Sequence, residues 1–488
     1  MPTLPIICPD QTLFADGFNA IRAQLEIPTG FSDAVLQEAA DSAVAGPSLP
    51  PGVPSSLSIT DRRDIEFVTV DPPGSRDLDQ AYAAERTGNG YRVFYAIADV
   101  AAFIAPDGPI SNEALERGVT LYSPDLRTPL HPTELSEGIA SLLAGEDRAA
   151  LLWTIDLDAE GRLVEANLER ATVRSREQLD YKTAQDRIDD GTAHESLALL
   201  KTIGQLREAL EEERGAVSLS LPAQEVVHQP NGDFVLEYDI SRPVEGWNAQ
   251  ISLLTGIAAA KIMLDGGHGL LRTLPEPYKR TVRSIRAAAK ALKIDWPSEV
   301  NYADRVRDLD PNVPREAALL TQSARALRGA GYVAFNGELP ELRTHSAIAS
   351  EYAHVTAPLR RVADRYANES ILAICGGYET PEWALSALPE IPGAMGRGVS
   401  RDRRLEKAIV DFVEAVVLQC RTGETFDAVV VDVDEDDNRS KIQLLDPAVI
   451  ARIATSEADL GAEVRVKLVD ADPDKRAVTF ALQPAGSS

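Results

Sequence analysis

Three aspartates crowd the segment TVDPPGSRDLDQA: Asp71, then Asp77 and Asp79 beyond a Pro-Gly turn. In an extended chain, residues two apart face the same side, so the carboxylates of Asp77 and Asp79 converge, and a turn that folds the chain back adds Asp71. Carboxylates so placed repel one another unless a hard cation lies between them, and oxygen donors of this kind suit Mg²⁺ or Mn²⁺. Such a site serves phosphodiester hydrolysis by activating water and clamping the attacking and leaving oxygens. The competing reading is a solvated acidic loop capping a strand end, and spacing alone weighs the two about evenly. A second run, Asp432, Asp434 and Asp436, imitates a calcium loop but has Asp437 where that loop needs glycine and Gln443 where it needs glutamate. It reads as an exposed turn.

The elements around the first cluster follow from periodicity. Residues 11–44 carry Phe14, Phe18, Ile21 and Leu25, then Phe31, Val35, Leu36 and Ala39, at helical spacing, which predicts two short helices. The stretch AGPSLPPGVPSSLS holds four prolines and reads as a linker. From Asp61 the pattern turns to strands and hairpins: FVTVD, a strand through Leu78 and Tyr82, a Gly-Asn-Gly turn, then YRVFYAIAD. Helical spacing returns over 195–214, 250–264, 280–292, 315–327 and 359–374. At the end Val429, Val431 and Val433, then Val464, Val466 and Leu468, alternate with polar neighbours, as in a small closed barrel of the OB type. The predicted class is α+β, divided as 1–45, 46–60, 61–420 and 421–488.

Composition narrows the partners. The 488 residues carry a net charge of −27, so bulk attraction to nucleic acid or anionic membrane is excluded, and a polyanion would need a local basic groove. Cys8, Cys375 and Cys420 are too far apart for a CxxC metal site and too few for a disulfide framework, which fits a reducing cytoplasm. No segment offers the apolar length of a membrane span. A cytoplasmic monomer is the default expectation.

Four strings, DIEFVTVDPPGSRDLDQAYA, YAIADVAAFI, LYSPDLRTPLHPTELSEGIASLL and THSAIASEYAHVTAPLRRVADR, resemble in order the catalytic RNB domain of the ribonuclease II family. The resemblance runs from Asp61 to Cys420. It implies a processive 3′-to-5′ hydrolytic exoribonuclease acting on single-stranded RNA. Asp71, Asp77 and Asp79 match three of four aspartates that hold Mg²⁺ in the family, with Mn²⁺ as the alternative ion, and Gln80 stands at the fourth. Glutamine can touch a metal through its carbonyl but carries no charge.

By the same resemblance, Arg360 matches an arginine at the scissile phosphate, Tyr122 an aromatic that stacks on a base, and Tyr181 a tyrosine that senses the terminal nucleotide. Gln250 falls where that tyrosine's partner glutamate would be, and Glu406 aligns with a glutamate at the edge of the product end. Asp99, His345 and Tyr352 also match family positions. Pro358 in a first helical turn, with Thr356 as N-cap, would aim a helix N-terminus beside Arg360. A plain Arg360 to Asp364 surface pair is the competing reading. Tyr181 alone would read as a half-buried packing residue, Asp99 as a strand-end cap, and Glu406 as a helix-face partner of Arg403.

The ends depart from the family, whose members begin with two cold-shock OB domains. Residues 1–60 are too short for one such barrel, so the helical pair reads equally as a helix-turn-helix reader or as a cap docked on the catalytic domain. The last segment resembles the family's OB-fold RNA-binding domain, with Arg439, Lys441, Arg465 and Lys467 as candidate backbone contacts. The helix Lys279 to Lys293 is a candidate channel wall or a solvated face. The expected function is an Mg²⁺-dependent exoribonuclease releasing nucleoside 5′-monophosphates. The alternatives are an RNA-binding protein with weak hydrolysis because of Gln80, or a metal phosphodiesterase acting on DNA.

Overall fold

The N-terminal periodicity becomes α1 (Gln11–Gln24) and α2 (Asp33–Ala45) in the computed structural model, which describes residues 11–217, 224–228, 234–238, 242–310, 313–434, 439–445, 449–454 and 458–483. Cys8, Asp436 and Asp437 lie outside the described residues. The two helices dock on the body of the protein. Phe14 and Phe18 of α1 pack edge-on against Phe412, with ring centroids 6.2 and 5.7 Å apart. A Cβ on Gly17 would lie 2.1 Å from the Phe412 ring, so the close approach needs glycine there. On α2, Glu38 accepts from the Ile110 N–H at 2.7 Å, at the positive end of α3 (Pro109–Arg117). This arrangement favours the docked cap over a free nucleic-acid reader. The proline-rich stretch lies along the same body, where Ser48 N donates to Ala102 O and Trp383 Nε1 to Pro51 O.

The central sheet comprises β1 (Thr60–Asp61), β2 (Phe67–Asp71), β3 (Gln80–Thr87), β4 (Gly90–Ala98), and, after the short hairpin β5 (Leu121–Tyr122) and β6 (Arg127–Thr128), β7 (Asp147–Asp158) and β8 (Leu163–Asp180). Its order is β1-β8-β2-β3-β4-β7, and β8 also pairs with β7, closing five strands on themselves. β8 manages this through its length: Leu163 to Arg174 pair with β7, and Ser175 to Asp180 run parallel to β2. Alternate residues feed two apolar clusters, with Val68, Val70, Tyr82, Tyr95 and Trp153 in one and Phe67, Ala81, Ala96 and Leu152 in the other. The strand expected through Leu78 starts only at Gln80, because Leu78 is anchored in a loop by Ser141.

Helices follow: α4 (Tyr181–Asp190), α5 (Glu195–Glu213), then the hairpin β9 (Gln224–His228) and β10 (Phe234–Tyr238), and α6 (Pro243–Gly266). α6 begins earlier than periodicity predicts, because Pro243 opens its first turn and the Glu245 carboxylate accepts from Arg242 N. β11 (His268–Thr273) pairs with β12 (Gly331–Asn336) across an insertion holding α7 (Lys279–Ala291), α8 (Tyr302–Arg307) and α9 (Pro314–Ser323). A small pair, β13 (Thr344–His345) and β14 (Ser350–Glu351), precedes α10 (Val362–Gly376), α11 (Glu382–Ala387) and the long α12 (Ile391–Gln419).

The helix expected from residue 359 with a Thr356 cap begins instead at Val362. Its approach is held out of helical form by tertiary bonds: Val119 bridges Arg361, Val362 N donates to Gly118 O, and Asp364 accepts from Ala357 N. α10 is buried over its whole first three turns, including Asp364, Arg365, Asn368 and Glu369.

The C-terminal alternation gives β15 (Thr425–Asp434), β16 (Arg439–Leu444), β17 (Ile450–Ile453), β18 (Glu463–Asp472) and β19 (Ala477–Leu482), a closed barrel in the order β15-β16-β17-β19-β18. Val429 and Val431 point outward from it into a cluster with Ile285 and Ala289 of α7. The α+β expectation, with a terminal OB-type barrel, matches this architecture. Among the described residues no helix is long and apolar enough to cross a membrane.

Candidate active site

The acid loop is built by a turn and an anchor. β2 carries Asp71 to its last position, Ser75 N donates back to Pro72 O, and Gly74 takes φ +78°, a conformation open to glycine without strain. Leu78 is fully buried, its N–H bonded to Ser141 Oγ at 3.0 Å and its carbonyl to Leu142 N at 3.0 Å. Asp77 and Asp79 flank this anchored residue in the loop before β3.

Each carboxylate has a different environment. Asp79 is buried, with Oδ1 accepting from Leu359 N and Oδ2 from Arg360 Nε, both at 2.7 Å. Asp77 pairs with Arg127 and accepts from the Tyr122 hydroxyl at 3.3 Å. Asp71 keeps a buried Oδ2 with no hydrogen-bond partner. Burial, then the charge of Asp79, raises the Asp71 carboxyl to about 7, with Arg360 pulling the other way. Burial likewise raises Asp79 to about 6 against the opposing pull of Arg360. Beside them Gln80 donates its amide to Thr356 O.

The donor chemistry suits a hard divalent cation, since a buried carboxylate oxygen without a hydrogen-bond partner stands beside Asp79 and Asp77, whose charges push it toward protonation against the pull of Arg360. The expected convergence is not met. Among the described residues no three carboxylate, histidine or cysteine groups are disposed to hold one ion. The physical reason is the cationic partners: Arg127 draws Asp77 aside, and Arg360 takes Asp79.

Next to the acid loop lies a cavity of about 960 Å³, lined by Gln80, Tyr181, Glu211, Asn248, Gln250, Tyr352, Arg360 and Arg361 among others. Tyr181 opens α4, whose N-cap Asp180 accepts from Thr183 N at 2.6 Å. Gln250 is buried, donates to Glu211 of α5, and leaves its own carbonyl oxygen unpartnered. A glutamate therefore does stand near the position marked by Gln250, but it arrives from another helix. Asn248, which bonds Val70 O, and Arg361 also escaped sequence reasoning. The available signal was the polar stripe Gln205, Glu208 and Glu212 on α5, which reads as a solvated face until α6 is packed beside it.

Other expected positions lie elsewhere. Asp99 is buried in an ion cluster with Arg170, at 2.9 Å, and Glu369, while its neighbour Ala98 donates its N–H to the Asp79 carbonyl of the acid loop at 2.9 Å. Glu406 is exposed on α12, outside the cavity lining. The Asp364 pairing considered for Arg360 is made instead by Arg361, at 2.8 Å, and it is no surface pair, since Asp364 is fully buried. Tyr122 is half exposed beside Asp77, and His345 stacks edge-on with Tyr352 at 6.2 Å. On α7, Lys279, Arg280, Arg283 and Lys290 face solvent, while Arg286 bonds Val300 O at 2.8 Å. On the barrel, Arg465 lies 3.5 Å from Asp427.

The RNB domain family matches residues 59–376, and the RNase II-type exonuclease C-terminal S1 domain matches residues 424–483. Ribonuclease R of Escherichia coli (strain K12) is 27% identical over 440 residues, covering 84% of this chain and 52% of its own length. Exosome complex exonuclease RRP44 of Mus musculus is 30% identical over 323 residues, covering 62% of this chain and 33% of its own. The chain thus spans about half the length or less of these two curated relatives. Among solved structures, the apo form of Mycoplasma genitalium RNase R superposes with a TM-score of 0.85 at 20% identity, over 96% of this chain and 78% of that one. Yeast Ssd1, a pseudonuclease, gives a TM-score of 0.67 at 15% identity, over 98% of this chain and 59% of its own. These superpositions establish the shared fold. Since the RNB match covers most of the chain and contains both the acid loop and the turn that carries Arg360, the chain belongs to the RNB-domain ribonuclease family.

Proposed function

We propose that the protein is a divalent-metal-dependent, processive 3′-to-5′ exoribonuclease that hydrolyses single-stranded RNA to nucleoside 5′-monophosphates. The observation that carries this reading is the orphaned, buried oxygen of Asp71, which feels the charges of Asp79, Arg360 and Asp77, with Gln80 and Arg360 lining the cavity next to it. Support for RNA comes from relatives named Ribonuclease R and from solved Mycoplasma genitalium RNase R complexes with single-stranded and double-stranded RNA.

In this reading Asp71, Asp77 and Asp79, with the Gln80 carbonyl, would hold Mg²⁺ or Mn²⁺. When bound, the ion supplies Lewis acidity and lowers the pKa of the attacking water. The chain's own residues do the rest. Arg360 sets a permanent positive charge at the acid loop, where charge develops on the phosphate oxygens. The half-exposed Tyr122 ring offers a stacking face, which binds any base. Tyr181, Asn248 and the Gln250 and Glu211 pair present polar groups to the terminal ribose, the part that distinguishes RNA from DNA.

The test is digestion of 3′-labelled and 5′-labelled RNA with Mg²⁺ and with chelator. Labelled mononucleotide released at once from the 3′ end, and lost with chelator, supports the exonuclease. A stable RNA complex without product would give the RNA-binding reading instead. Equal cleavage of DNA would sink the ribose-sensing part.

A further inference from the structure

Arg22, near the end of α1, is only 4% exposed, and its guanidinium holds both oxygens of Asp125 at 2.8 Å each while donating to Asn19 Oδ1 at 2.8 Å. A two-point fork of this kind fixes direction as well as distance, which a single ion pair does not. Asp125 sits in the turn of the β5–β6 hairpin, where Ser123 N donates to Leu126 O at 3.0 Å. On either side of that turn stand Tyr122, the last residue of β5, and Arg127, the first of β6, opposite each other in register. Both reach Asp77, Tyr122 through its hydroxyl at 3.3 Å and Arg127 through an ion pair. A single turn thus separates the Arg22 fork from two side chains that touch the acid loop.

A hairpin with two residues in each strand has little stability of its own, so its placement depends on what grips it. At its base, Thr120 N donates to Arg360 O at 2.9 Å and Val119 bridges Arg361. Just beyond β6, the buried Arg117 donates to Pro129 O at 2.9 Å and to Gly30 O in the loop between α1 and α2, with the ring of Phe31 from that loop 3.9 Å from its guanidinium. At its turn, the grip is Arg22. Two of these three grips join the hairpin to the helical pair. Tyr122 is half exposed and Leu126 in the turn is exposed, so packing alone holds this part of the hairpin weakly.

We infer that Arg22 is a positioning residue for the substrate: through Asp125 it sets where the Tyr122 ring stands, and so where a base of the RNA stacks. The helical pair is in this way a working part of the acid site as well as a cap on α12. This rests on the stacking role given to Tyr122 under the exoribonuclease reading.

The test is a double-mutant cycle on RNA affinity, measured with chelator present so that binding is read without turnover, using Arg22→Met, Tyr122→Ala and the two together. Arg22→Met keeps apolar bulk in the buried site and removes the fork. Alone it is expected to weaken binding about tenfold, the size of a lost stacking contact, and to cost nothing further once Tyr122 is replaced. Arg22→Gln, which can keep one bond to Asp125 but neither charge nor fork, should lose less, and that loss should also vanish beside Tyr122→Ala. It carries the cycle should Arg22→Met fail to fold. Additive losses overturn the inference, because a pair that merely staples α1 lowers affinity through the fold whether or not the ring is present. Wild-type affinity in a folded Arg22 variant overturns it too, as does a Tyr122→Ala chain that binds as tightly as the wild type. A chain that shows the coupling but releases no mononucleotide with Mg²⁺ fails the exonuclease reading and leaves this inference standing.

Discussion

Arg360 Nε donates to Asp79 Oδ2 at 2.7 Å, and the N–H of Leu359 donates to the other oxygen of the same carboxylate. One buried side chain at the end of the acid loop therefore fixes the turn that precedes α10, across 281 positions of sequence. The acid loop and the arginine turn are one unit, in which Asp79 orients Arg360 and faces its charge.

Asp79→Asn separates these two tasks. Asparagine keeps an acceptor for Leu359 N but removes the charge opposite Arg360 and one anionic donor for a cation. Hydrolysis is expected to fall by about 10²-fold or more, with RNA affinity nearly unchanged because the stacking and ribose-facing groups are untouched. Single-turnover kinetics beside a binding isotherm check this. Affinity that falls in step with activity would show a role in the fold instead.

The parts legible in sequence were those governed by neighbours along the chain. The Pro-Gly turn placed Asp77 and Asp79 beyond Asp71, alternating valines announced the barrel, and family motifs singled out Arg360 and Tyr181. What stayed hidden depends on partners far away. Nothing near Asp77 announces Arg127, nothing near Asp99 announces Arg170, and the late start of α10 is imposed by Gly118 and Val119. Glu211 was invisible for the same reason, since its helix face becomes a cavity wall only when α6 lies beside it.

Glu211→Gln tests that wall. The substitution keeps a hydrogen-bonding group beside Gln250 and removes the charge that makes its bonds strong. A lost charge-assisted bond is worth roughly 1.5–3 kcal/mol, so preference for a ribose over a 2′-deoxyribose end should drop by about tenfold or more. Competition between two oligonucleotides differing only in that sugar measures it. An unaltered preference would remove Glu211 from substrate recognition.

Gly17→Ala tests the docking of α1. The added Cβ would meet the Phe412 ring at 2.1 Å, so the helix must lift or the ring must turn. Overpacking of this kind costs about 1–3 kcal/mol, visible as a lower melting temperature. Phe412→Leu in the same background should recover part of the loss, a coupling that independent sites would not show. Additive effects would mean that α1 does not rest on α12 in solution.

The last test concerns pH. Arg170 lies between two buried carboxylates, Asp99 and Glu369, and the buried guanidinium of Arg365 acts on both of them as well. Burial first, and the charge of Asp99 second, raise the Glu369 carboxyl to about 7 against the pull of Arg170. An unfolded glutamate titrates near ~4.3, so between that value and 7 the folded chain holds a proton that the unfolded chain has released. This contribution to stability is complete below the unfolded pKa and is lost as pH rises through the folded one. Glu369→Gln keeps an acceptor for Arg170 and removes the titration. Its melting temperature should therefore gain on the wild type as pH rises from 5 to about 7 and level off above that. Asp71 and Asp79 are also raised, to about 7 and about 6, but they titrate in both proteins, so the difference between the two curves isolates Glu369. Parallel curves would mean that Arg170 and Arg365 keep Glu369 ionised throughout.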